Sequence, residues 1–133
     1  MVDIETLLDQ FALEFGDTWN RSGMELIAPS INGRYQTIRI HARGGEFVLI
    51  SGVLDGDEVC KTVTRWRDLA RLTWQINSDQ EIVSFRFDES DTLIGEVRHP
   101  AEHLDYEELR CYVLELAKAC DRLEYLLSGR DLF

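Results

Sequence analysis

The chain has 133 residues, 44 % of them hydrophobic, and its 14 Lys and Arg against 25 Asp and Glu give a net charge of −11. That is material for one domain over residues 1–133 with a core of its own, which excludes wholesale disorder. The sign of the charge disfavours generic DNA binding and anionic membranes, since both need a cationic surface.

The first ten residues carry three acids and no Lys or Arg, so they lack the cationic start of a secretory signal. The longest apolar-rich run, Phe47–Leu54, is broken by Ser51 and Gly52 and falls far short of the roughly 20 residues that span a bilayer. A soluble, cytoplasmic protein is expected. The three cysteines, Cys60, Cys111 and Cys120, include no C-x-x-C and are expected to be reduced packing residues.

Taken in chain order, Ile4, Leu7, Leu8, Phe11 and Phe15 form one stripe of a first helix over Ile4–Phe15. Asp3 is its N-cap, and Val2 and Leu7 have the spacing of a hydrophobic staple. The stretch Trp19–Met24 matches no pattern, and Glu25–Ala28 is expected to be a short strand. Tyr35–Arg43 and Glu46–Val53 flank Gly44-Gly45, a two-residue hairpin turn that sets paired numbers to sum to 89. One face of this hairpin holds Ile38, Ile40, Ala42, Phe47, Leu49 and Ser51 and is the expected core face. The other mixes Tyr35, Val48, Ile50 and Leu54 with Arg39, His41, Arg43 and Glu46, more apolar than a fully solvated face.

A second helix is expected over Val63–Ile76, apolar around more than half its circumference (Val63, Trp66, Leu69, Ala70, Leu72, Trp74, Ile76). It has more to bury than one sheet face covers. Core packing is the default role of Trp66 and Trp74; a subunit or partner interface, where Trp is enriched, is the alternative. Ile82–Asp88 and Thr92–Arg98 form a second hairpin around Glu89-Ser90-Asp91, with paired numbers summing to 180 and Gly95 opposite Phe85. Its reverse face, with Ile82, Ile94, Glu96 and Arg98, is again half apolar. Asp105 and Glu108 make a capping box, Leu104 and Leu109 a staple, for a final helix running to about Ser128 before Gly129. Its stripe is Leu109, Tyr112, Val113, Leu116, Cys120, Leu123 and Leu127. The order α-β-β-β-α-β-β-α points to an α+β fold with a single antiparallel sheet.

Catalytic signals are weak. His99 and His103 stand four apart with Glu102 between them, but Pro100 interrupts the spacing and no H-E-x-x-H occurs. Asp55, Asp57 and Glu58 resemble part of a calcium loop, yet position twelve is Trp66. There is no P-loop and no G-x-G-x-x-G, and neither metal nor cofactor is expected. Two basic clusters, Arg34–Arg43 and Lys61–Arg71, read either as a docking patch for an acidic partner or RNA, or as an offset to the chain's own acids or to those of a second copy; nucleic acid is not an expected partner, because the summed field repels phosphate.

The chain resembles the YbjN family and, more distantly, the class I type III secretion chaperones. The resemblance is carried by Glu81–Asp88, the strand ending in His99-Pro100, Leu104–Leu109 opening a long final helix, and Ala119-Cys120-Asp121 within it. It implies helices packed on one sheet face and a non-enzymatic, homodimeric protein that holds a segment of a client polypeptide. Mapped onto this sequence, it makes Trp66, Leu69 and Trp74 the dimer interface and Tyr35, Val48, Ile50 and Ile94 the client-binding residues. The rival expectation is an enzyme or small-ligand sensor with a pocket between the final helix and the sheet.

Overall fold

The computed structural model describes residues 3–29, 35–54 and 82–128. Outside these lie Val2, the Asp55–Glu58 turn, Cys60, the expected helix Val63–Ile76 with Trp66, Leu69 and Trp74, and Gly129. Within them the elements are α1 (Ile4–Phe15), β1 (Asn20–Ser22), β2 (Glu25–Ile27), β3 (Thr37–Arg43), β4 (Glu46–Leu54), β5 (Ser84–Phe87), β6 (Leu93–Pro100), a 3-10 turn (Ala101–His103) and a final helix, α2 (Tyr106–Ser128). The fold is α+β, with one antiparallel sheet whose six strands run in the order β1-β2-β3-β4-β6-β5.

Both helices begin where side chains satisfy the open N–H groups of a first turn. The Asp3 carboxylate accepts from the Glu5 N–H at 3.1 Å and from the Thr6 hydroxyl at 3.0 Å. At α2, Asp105 accepts from the Glu108 N–H at 2.8 Å while Glu108 accepts from the Asp105 N–H at 3.2 Å. This reciprocal box, with Leu104 and Leu109 both buried beside it, fixes the direction in which α2 leaves β6.

Turn chemistry sets the sheet register. Gly44 and Gly45 take φ of 58° and 82°, the left-handed pair that a tight hairpin needs and that side chains resist. The resulting pairs, from Ile38↔Ser51 to Arg43↔Glu46, follow the expected sum of 89. Those of the second hairpin, from Ser84↔Glu96 to Phe87↔Leu93, follow the sum of 180. β6 runs on to Pro100, pairing it with Glu46, so β4 is flanked along its length by β3 on one side and β6 on the other.

The strand missing from the sequence reading is β1. Its three residues, Asn20-Arg21-Ser22, have no apolar alternation, and its place comes from the turn at Gly23 (φ 60°) and from pairing with β2. Arg21 also forms an ion pair with Asp9 of α1. α2 packs across β4 and β6, and α1 against α2 and β1. Leu8, Phe11, Ile38, Leu49, Leu93 and Leu116 sit at the centre of the core between helices and sheet.

Candidate functional site

Period-two alternation gives the sheet a second face, turned away from this core. β3 contributes Arg39 and His41 to it, β4 Val48, Ile50 and Gly52, and β6 Ile94, Glu96 and Arg98. Val48 is fully buried and Ile94 is 3 % exposed, yet neither belongs to the core cluster. Ile50 is half-buried, and Tyr35 is 65 % exposed.

Three of the four expected client-binding residues meet in one recess. Tyr35, Ile50 and Ile94 line an open hollow of about 460 Å³, together with Thr37, Arg39 and Gly52 and with Asp88, Ser90 and Thr92 of the β5–β6 turn. Val48 lies one step along the same face, enclosed. Gly52 leaves the floor bare: a Cβ built there meets nothing within 4 Å. Next to it the β4–β6 register shifts between Gly52 and Leu54.

The rest of this face is charged but internally paired. Arg39 reaches Glu25 at 3.1 Å. Glu96 is held by Arg86 at 2.8 Å and by Arg98 at 3.0 Å. Burial pushes the Glu96 carboxyl up, but the hydrogen bonds and charges of Arg86 and Arg98 together outweigh it, leaving the group below its ordinary 4.5. Its ionised form therefore stabilises the fold above the ordinary value, and that contribution is lost as pH falls through the lower folded value. Glu96→Gln is expected to flatten the acid limb of the stability profile below about pH 4.5. Urea unfolding at a series of pH values checks this, and superimposable profiles contradict it.

The residues weighed for chemistry take structural places. The Nε2 of His99 lies 2.9 Å from the Glu108 carboxylate and its Nδ1 2.8 Å from the Pro100 carbonyl, which ties the end of β6 to the cap of α2. His41 is exposed on the reverse face. Among the described residues, no group of three or more His, Cys, Asp or Glu is placed to hold a metal. Cys120 is fully buried; burial pushes its thiol up to about 12, and it donates to the Ser51 carbonyl at 3.7 Å. It is an unreactive packing residue, whereas Cys111, expected to be the same, is exposed.

Sequence reasoning missed one buried polar pair. The Ser51 hydroxyl donates to the Gln36 amide oxygen at 2.8 Å, and both residues are buried. Only the alternation that sends Ser51 into the core hinted at it. A smaller hollow of about 220 Å³ opens on the helix side, between Trp19, Ala28, Pro29 and Gln36 and the α2 residues Ala117, Lys118 and Asp121.

No family's sequence profile matches the chain, and no curated protein sequence does. Solved structures do match. A chain of the ExsC–ExsE complex aligns with a TM-score of 0.60 and 17 % identity, covering 94 % of this chain and 93 % of that one. A chain of the HopA1–SchA chaperone–effector complex gives 0.60 and 15 %, covering 90 % and 95 %. The Yersinia pestis type III secretion chaperone SycH, in complex with a stable fragment of YscM2, gives 0.58 and 12 %, covering 89 % and 97 %. YbjN from E. coli gives 0.60 and 14 %, covering 98 % and 93 %. At these identities the likeness is one of fold: the chain has the architecture shared by type III secretion chaperones and YbjN.

Proposed function

We propose that this chain is a non-enzymatic, chaperone-like module of one domain that works in the cytoplasm as a homodimer and holds an apolar segment of a client protein. The observation that carries the reading is the partly apolar side of the sheet turned away from α1 and α2. Val48 and Ile94 lie there outside the core cluster, and Tyr35 and Ile50 open onto a recess. Burying the part of this side that is open, on Tyr35 and Ile50, against a second polypeptide contributes about 25 cal/mol per Å², less the ordering of both partners. Two neighbours in fold were solved as a chaperone–effector complex and as a secretion chaperone with a bound fragment. Using them here is an analogy of fold, weighed as such.

In this reading Tyr35 and Ile50 are the surface that a client meets first. Val48 and Ile94, already enclosed in the single chain, are the least accessible of the four residues assigned to the contact. The subunit contact is assigned to Trp66, Leu69 and Trp74. The rival reading, a small-ligand site between the final helix and the sheet, has the 220 Å³ hollow in its favour. That volume is below the roughly 300–1,000 Å³ of ordinary ligand pockets.

Affinity capture of the tagged protein from the cells that express it, with mass spectrometry, tests the reading. A polypeptide is expected to co-purify with the wild type and to be lost with Ile50→Asp, which puts a charge on the floor of the recess. Circular dichroism of the variant, matching the wild type, separates loss of binding from loss of fold. A partner retained in full by a folded Ile50→Asp protein rejects this face as the client site.

A further inference from the structure

The hollow on the helix side of the sheet is open space among core residues. Trp19, Ala28, Gln36 and Ala117 line it, each at most 9 % exposed, and all but Gln36 belong to the core cluster. Pro29 and Lys118, both exposed, and half-buried Asp121 complete its lining. Protein interiors are close-packed, and gaps larger than a water molecule are few. This one measures about 220 Å³, and a cavity of about 150 Å³ already admits benzene. Trp19 meets Phe11 edge to face with ring centroids 5.2 Å apart, and a ring lying in the hollow gains a contact of the same kind. Gln36 adds the one uncharged polar side chain of the lining. Its Oε1 accepts from the Ser51 hydroxyl at 2.8 Å and its backbone carbonyl from the Ala28 N–H at 2.8 Å, so the residue is fixed in place. With that oxygen engaged, the amide N–H groups are the donors it offers.

We infer that the hollow binds a small uncharged molecule of one aromatic ring bearing a hydroxyl or carbonyl oxygen, a simple phenol being the type. The ring lies against Trp19, Ala28 and Ala117, and its oxygen accepts from the Gln36 amide. Charged guests are selected against. The chain's net charge of −11 repels an anion, and a cation has to leave water for four buried wall residues that carry no charge. The hollow and the client recess lie on opposite faces of the sheet, so this site and the client-binding reading stand or fall separately.

Titration of the isotope-labelled full chain with p-cresol, toluene and benzoate, followed by nuclear magnetic resonance, tests this. p-Cresol is expected to shift the signals of the Trp19 indole N–H and the Gln36 side-chain amide. It should bind about fivefold tighter than toluene, the worth of one ordinary hydrogen bond, and roughly tenfold tighter than benzoate. Ala117→Leu, which fills the hollow from α2, is expected to weaken p-cresol by about tenfold or more while the unfolding midpoint stays at or above that of the wild type. Ala28→Leu fills the same space from the sheet side and is the second variant, read in the same way. Equal binding of toluene and p-cresol overturns the role of Gln36, and benzoate bound as tightly as p-cresol overturns the selection of an uncharged guest. Undiminished p-cresol binding to a folded Ala117→Leu or Ala28→Leu protein removes the hollow as the site. Unmoved Trp19 and Gln36 signals in the wild type at millimolar p-cresol overturn the inference outright.

Discussion

Gly95→Val is expected to lower the thermal unfolding midpoint by roughly 10 °C. A Cβ at Gly95 would stand 2.5 Å from the Cys120 sulfur and 3.1 Å from both Leu116 Cδ1 and Phe85 Cε1. None of the three has room to retreat. Cys120 and Leu116 are fully buried, Phe85 is 4 % exposed, and the Cys120 thiol is tied to the Ser51 carbonyl. Overpacking of this kind costs about 1–3 kcal/mol, and in a domain of this size each kcal/mol is worth about 4 °C. The sulfur is the nearest obstacle, so Cys120→Ala combined with Gly95→Ala should be more stable than the sum of the two single changes predicts. A Gly95→Val protein that melts with the wild type would mean that α2 does not sit this close to β6.

Trp66→Glu is expected to halve the solution mass at tens of micromolar, to the 15.4 kDa of one chain. The expected helix Val63–Ile76 is apolar over more than half its circumference, and Trp residues at the centre of an interface commonly carry 2 kcal/mol or more of the association energy, by order of magnitude. Replacing one with an unpaired carboxylate adds a desolvation cost to that loss. Leu13→Glu is the control: Leu13 is 87 % exposed on α1, and its substitution should leave the mass unchanged. An unaltered mass in folded Trp66→Glu removes this helix as the subunit contact.

The parts of the fold legible in the sequence were those written in local chemistry. Asp3, Asp105 and Glu108 announce helix starts because a first turn needs acceptors, and the structure uses all three. Gly44-Gly45 fixes one register and the Glu89-Ser90-Asp91 loop the other, each correct to the residue. β1 was illegible because three polar residues at a sheet edge owe their conformation to partners rather than to pattern; the Ser22-Gly23 step was its one local signal.

The candidate site was half legible. Alternation alone sent Tyr35, Val48, Ile50 and Ile94 to one face, and three of them share a recess. That Val48 and Ile94 are nearly inaccessible in the single chain could not be read, because burial depends on what lies over a face and not on the strand that bears it. The bare floor at Gly52 was likewise invisible: in the sequence it reads only as a break in an apolar run. Glu96, clamped between Arg86 and Arg98, looked like one more surface acid among 25.

Sedimentation equilibrium of the wild-type protein, from tens of micromolar downward in a dilution series, tests most directly whether a second copy covers the surplus apolar surface. A homodimer predicts twice the 15.4 kDa chain mass at the upper concentrations, falling as the sample is diluted. A mass of one chain at every concentration would contradict it.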